Sequence, residues 1–184
     1  LAALSLLGLS CGSNNSQTSA AAAVKTPLKK PIDYARDVLV DLDPEDNIYA
    51  AEKSFIRWKG VDGAKKNENR SVCSTFYAHL LIKAYGVDND YFREWLGRGS
   101  PVAGNFYDAI VKEDKFLRIK NFDDVKAGDV LATKYLEEGA PTTGHIAIVN
   151  KKPLLVTATK PIIAGTKQYE VEVIDSARTG HGPT

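Results

Sequence analysis

Cys73, Phe76, Tyr77, Leu80, Leu81 and Ala84 form a stripe related by three- and four-residue spacings. That spacing predicts an amphipathic helix over residues 73–85, ended by Gly86. Shorter helices are predicted over 92–96 and 106–112, joined by an irregular link that contains glycines. Asp43-Pro44-Glu45-Asp46 has the cap, the proline and the acids of a helix start, and predicts a helix through Ile48, Ala51 and Phe55 towards Trp58. Residues 59–70 are polar, carry two glycines and read as a loop. Residues 130–134, 145–149 and 169–175 read as strands, the last two by their alternation. Asp129 sits in the turn before the first of them, where its side chain is expected to bond to the backbone. Helices in the first half and strands in the second give an α+β domain, a helical part packed on a small antiparallel sheet.

Alternation also says which side chains share a face. His145, Ala147 and Val149 lie on one face of their strand, and Val171, Val173 and Asp175 on one face of theirs. An antiparallel register that sets His145 opposite Asp175 sets Ala147 opposite Val173 and Val149 opposite Val171, with a turn near Lys160-Pro161. Opposed residues point the same way, so one long hairpin would place a carboxylate beside the imidazole. The competing topology makes residues 154–159 a separate strand and moves His145 and Asp175 to opposite ends of the sheet.

The ends of the chain read differently. Residues 1–11 open with a short apolar run, Leu1-Ala2-Ala3-Leu4-Ser5-Leu6-Leu7-Gly8-Leu9, then Ser10-Cys11. The run is too short to span a bilayer and reads as the apolar part of a secretory signal. Its end resembles a bacterial lipoprotein signal, with Cys11 as the lipidated residue, although Gly8 stands where that signal prefers Leu. Ordinary signal cleavage is the plainer alternative. Residues 12–31 lack apolar periodicity and read as a flexible polar tether, and residues 32–184 as the folded domain. The absence of Met, and an end at Gly182-Pro183-Thr184, lead to the expectation that both termini are incomplete.

The chain has 184 residues and a net charge of +1, so charge gives no case for a nucleic-acid partner. Its two cysteines, Cys11 and Cys73, are too few for a disulfide framework. Cys73 falls where the long helix starts, and a helix N-terminus stabilises a thiolate. His145 at the mouth of a strand can take and return the proton, and Asp175 can orient the imidazole. Cys73, His145 and Asp175 are therefore the candidate catalytic set for attack on an amide carbonyl. The bland alternative is an unreactive core cysteine. His79 reads as a surface or packing residue. His181, among glycines, belongs either to a flexible tail or to a substrate-binding cleft wall. A zinc site of Cys73, His145, Asp175 and His181 lacks the close ligand spacing expected, so neither metal nor cofactor is expected.

These residues, in this order, resemble the NlpC-type cell-wall peptidases, a papain-like group. Trp58-Lys59-Gly60 partly matches that family's Trp-Gly-Gly segment, and Val72-Cys73-Ser74-Thr75-Phe76 its Asp-Cys-Ser-Gly-Phe. Ala127-Gly128-Asp129-Val130-Leu131 matches its turn, Gly144-His145-Ile146-Ala147-Ile148 its histidine strand, and Asp175 its third polar residue. Val72 and Thr75 replace the family's Asp and Gly, and Asp175 its more usual His, Asn or Gln. The resemblance covers most of residues 55–177. It implies a papain-like fold, Trp58 and Ser74 as substrate contacts, and cleavage of an amide bond in peptidoglycan stem peptides at the bacterial cell envelope, with a membrane contact through lipidated Cys11. Two other functions remain open: a non-catalytic module that binds wall peptide or carbohydrate, and a papain-like acyl transferase.

Overall fold

The structure is a computed structural model, and it describes residues 2–5, 29–136 and 143–179. It is mixed α+β. Helix α1 spans Pro31–Leu39, α2 Cys73–Tyr85, α3 Asn89–Leu96 and α4 Ala103–Val111. Five strands form one antiparallel sheet: β1 (Ala2–Ser5), β5 (Leu117–Ile119), β6 (Val130–Lys134), β7 (Gly144–Val149) and β10 (Val173–Ile174), in the order β10-β7-β6-β1-β5. A second sheet sets β4 (Glu68–Ser71) between β2 (Asn47–Tyr49) and β3 (Phe55–Arg57), with β2 parallel and β3 antiparallel to it. β8 (Leu154–Val156) and β9 (Gln168–Glu170) form a separate two-stranded ribbon.

Helix α2 takes the predicted span, and its stripe explains its placement. Cys73, Phe76, Tyr77, Leu80, Leu81 and Ala84 are all buried. They face β7 and α1, while α4 packs over β6 and β7. Leu80, Phe106, Ile110, Ile146 and Val130 are almost wholly withdrawn from water. Each such side chain stabilises the fold by roughly 1.5–3 kcal/mol of transfer free energy. Tyr77 meets Phe106 edge to face at 5.2 Å, which locks α2 against α4. Gly86 closes α2 at φ 67°, the left-handed conformation its missing Cβ allows.

Two sequence expectations are corrected. No helix follows Asp43-Pro44: a single 3-10 turn over Pro44–Asp46 gives way to β2 and then β3. Ile48, Ala51 and Phe55 fit a helical period, but Ile48 is exposed and Lys53 has φ 50°. The backbone of β2 is satisfied by β4 instead, and Asn69 Nδ2 donates to Asn47 Oδ1 at 2.8 Å across the pair. The polar segment 59–70, read as loop throughout, ends in β4, the central strand of that sheet. Its buried Asn67 and Asn69 have hydrogen-bond partners that cover their desolvation: Asn67 accepts from Lys59 N, and Asn69 accepts from Ser71 Oγ.

Ala2–Ser5, within the run read as a secretory signal, is a strand between β5 and β6. Cys11, most of the tether and His181 lie outside the described residues. Among the described residues no helix is long and apolar enough to cross a membrane.

Candidate active site

The site forms where three elements end. Cys73 is the first residue of α2, and the first N–H groups of a helix have no acceptor within it. The backbone entering α2 is held by Thr75, whose Oγ1 accepts from Val72 N at 3.0 Å and donates to Val72 O at 3.2 Å. Thr75 thus makes a local cap where the resembled family has glycine. Cys73 is a free cysteine and is 7% exposed.

His145 enters on β7 directly after Gly144 and pairs in register with Thr133 of β6. Its Nε2 is hydrogen-bonded to Asp175 Oδ2, and Cys73 is its other side-chain partner. These two partners, Asp175 the stronger, raise the His145 pKa from 6.5 to about 10 against the opposing effect of burial. The ring is therefore an imidazolium at neutral pH.

The hairpin brings the pair together in a register shifted from the expected one. Val173 pairs with Val149 and Ile174 with Ile148. Asp175 consequently stands diagonal to His145, two residues along, on the same face. Diagonal neighbours on one face lie within reach of long side chains. Residues 154–156 do form a strand, but it pairs with β9 and prolongs the hairpin rather than opening a meander. Beyond Asp175, Ser176 Oγ donates to Ser71 O at 2.8 Å, and both residues are buried. The same carbonyl accepts from Ala50 N at 3.1 Å. Ser71, two residues before Cys73, therefore ties together β2, α2 and the carboxylate arm.

Tyr49 pairs with Ser71 across β2 and β4. Its phenol is pushed above its ordinary pKa, chiefly by burial and then by the charges of Cys73 and Asp175, with Arg178 opposing. Tyr49 is thus within electrostatic range of Cys73, Asp175 and Arg178. Sequence reading missed Tyr49, because its segment carries a helical spacing and the strand that holds it is three residues long.

The remaining expected contacts are placed as follows. Ser74 is buried beside Cys73. Trp58 is buried away from the sulfur: its Nε1 donates to Tyr34 O at 2.8 Å, and its ring lies beneath Lys83 Nζ at 5.8 Å. Trp58 lines a cavity of about 1060 Å³ with Val61, His79, Lys83 and Gly86, a cavity whose walls do not include Cys73, His145 or Asp175. His79 bonds to Ser54 Oγ at 3.1 Å, and burial lowers its pKa. Asp129 holds its turn as expected, accepting from Lys126 N at 2.8 Å.

The raised pKa of His145 has a definite sign. A group whose folded pKa exceeds its unfolded value adds stability in full below about pH 6.5, and that stability is lost as pH climbs towards about 10. Replacing Asp175 by Asn removes the larger cause. We expect the NMR titration midpoint of the His145 ring to fall from near 10 by more than about one pH unit. An unchanged midpoint would show that Asp175 does not set the charge of the ring.

Comparison with known proteins adds little about chemistry. No family model and no solved structure matches the chain. It is similar to an uncharacterized protein of Acanthamoeba polyphaga mimivirus, 31% identical over 130 residues, which cover 63% of this chain and 57% of that protein. The chain thus spans less than two thirds of that relative's length.

Proposed function

We propose that this protein is a cysteine hydrolase of amide bonds, of the papain-like NlpC type. One observation carries the reading: the imidazole of His145 has Asp175 on one nitrogen and Cys73, at a helix N-terminus, as its other partner. An imidazolium beside the sulfur is the companion an ionised nucleophile needs.

The chemistry follows from the positions. The Cys73 sulfur attacks the carbonyl carbon and the carbonyl π pair moves onto oxygen. The Cys73 N–H at the open end of α2 donates to that oxyanion, and the phenol of Tyr49, which keeps its proton, is proposed as the second donor. As the C–N bond breaks, His145 delivers its proton to the leaving amine, and a thioester remains on Cys73. Neutral His145 then takes a proton from water, whose oxygen attacks the thioester. The acid departs, the sulfur regains its electron pair, and the imidazolium is restored. Asp175 keeps the ring oriented and supports its charge throughout.

For substrate we propose a peptidoglycan stem peptide, and for location the bacterial cell envelope, with lipidation of Cys11 as the tether. The family resemblance and the character of residues 1–31 support both. Purified sacculi and a panel of amides, digested and read by mass spectrometry, test the proposal. New peptide termini released from sacculi are the expected products. Intact sacculi and intact amides would overturn the hydrolase reading.

A further inference from the structure

The hairpin that carries the site does not end at the sheet. Beyond Val149 and Val173 it continues outward as the β8–β9 ribbon. The ribbon is apolar on the outside. Leu154 and Leu155 are 64% and 62% exposed, Ile162 and Ile163 at the end 69% and 62%, and Val156 is exposed as well. Contiguous exposed aliphatics of this kind mark an interaction site.

Three features identify the occupant. First, the apolar groups are not one-sided. Leu154 and Val156 share a face, Leu155 points to the other, and Ile162 and Ile163 crown the end. A protein groove would meet one face, whereas a lipid interface surrounds all of them. Second, the segment 151–170 holds four lysines against one acidic residue, Glu170. Lys151 pairs with Glu172 at the neck of the ribbon, and Lys167, beyond the outer end of β9, pairs with Asp123 of the domain body, both at 2.7 Å. Lys152 and Lys160 are exposed further cations on the same arm. An apolar end with Lys160 beside it and a second exposed lysine, Lys152, at the base of the arm suits an anionic bilayer surface. Third, the end of the ribbon meets its own backbone demand. Gln168 Nε2 donates to Thr159 O at 2.7 Å and Pro161 O at 3.1 Å, Gln168 Oε1 accepts from Thr159 N at 2.8 Å, and Thr166 Oγ1 donates to Ile163 O at 2.7 Å. Internal satisfaction of backbone groups is what entry into a lipid interface requires.

We propose that the β8–β9 ribbon is a membrane-docking arm that inserts Ile162 and Ile163 between the lipids of an anionic bilayer and sets Lys152 and Lys160 against their headgroups. The arm holds the Cys73 site at a fixed height above that surface. This inference stands apart from the catalytic reading, since it uses no residue of the site.

Vesicle flotation of the full chain tests it, with phosphatidylcholine vesicles and with vesicles of equal parts phosphatidylcholine and phosphatidylglycerol. Wild type is expected to float with the anionic vesicles at least tenfold more tightly than with the neutral ones. Ile162→Asp with Ile163→Asp should lose at least tenfold of that binding. Lys152→Glu with Lys160→Glu should lose it selectively for the anionic vesicles. All four positions are exposed, so circular dichroism should stay that of wild type. The apolar Leu1–Leu9 run is common to every protein compared, so it cannot produce a difference between them. Variants that float like wild type, a wild type that stays with the solvent, or a dimer in sedimentation velocity that the isoleucine variant splits would each overturn the proposal.

Discussion

Cys73→Ala should lose amide hydrolysis by at least on the order of a thousandfold, with the fold retained. The reason lies in what the sulfur does rather than in what it fills. In the proposed mechanism it is the atom that forms the covalent intermediate, and removal of a nucleophile from a set that acts as a unit costs nearly everything the set supplies. Structurally the change is small. The side chain sits at the outer end of the α2 stripe, and alanine keeps both the helix and the hydrophobic character of the position. A stability loss of about 1–2 kcal/mol is expected from the missing sulfur. His145 loses Cys73 as a partner but keeps Asp175, so the ring stays in place. The check is release of fragments from sacculi beside a thermal melt of the same preparation. A variant that melts like wild type and still hydrolyses places the nucleophile elsewhere.

That the site could be sought at all from the amino-acid order depends on two strong periods. The helical stripe from Cys73 to Ala84 is long enough to fix both the span of α2 and the inward side of the sulfur. Alternation in 145–149 and 171–175 fixed which faces carry His145 and Asp175. Parity survives a shift of two residues, so the contact formed although the register moved from the expected pairing. The slip has a physical origin. The outer ribbon pairs Val156 with Gln168 while the inner hairpin pairs Val149 with Val173, so the two arms contribute unequal numbers of residues between those pairs. No period records such an inequality.

What stayed hidden lies in short strands. β2 and β3 have three residues each and β4 has four, too few for an alternation to show. Ile48, Ala51 and Phe55 meanwhile carry a spacing that favours the helix. Tyr49 was concealed by the same accident, since only its pairing with Ser71 brings it to the sulfur. Asn67 and Asn69 are polar and buried, and composition alone assigns such residues to a loop. Trp58 shows the converse case. A short motif suggested a substrate contact, but the indole is fixed to Tyr34 O and faces another cavity.

Gly144→Ala should be the most destructive small change in the molecule. Gly144 has φ +143°, and a Cβ built on it would lie 2.0 Å from Thr133 O, 2.9 Å from Thr133 C and 3.0 Å from Lys134 Cα. All three atoms are backbone of β6, and Lys134 is the register partner of Gly144, so no side chain can swing aside. The two strands must part at the point where His145 enters. Overpacking of this kind adds to a strained φ, and together they cost at least about 3 kcal/mol. For a chain of this size that lowers the melting midpoint by roughly 6–12 °C. Activity should fall further than stability explains, because displacement of a catalytic group by about 1 Å costs on the order of a hundredfold. Gly86→Ala is the matched control. Its φ is +67°, but nothing lies within 4 Å of the added Cβ, so only the backbone penalty of about 1–2 kcal/mol applies. Melting curves of the two variants with turnover measured below both midpoints separate the effects. Equal curves for Gly144→Ala and wild type would mean that β6 and β7 do not approach in this register, and the placement of His145 beside Cys73 would go with it.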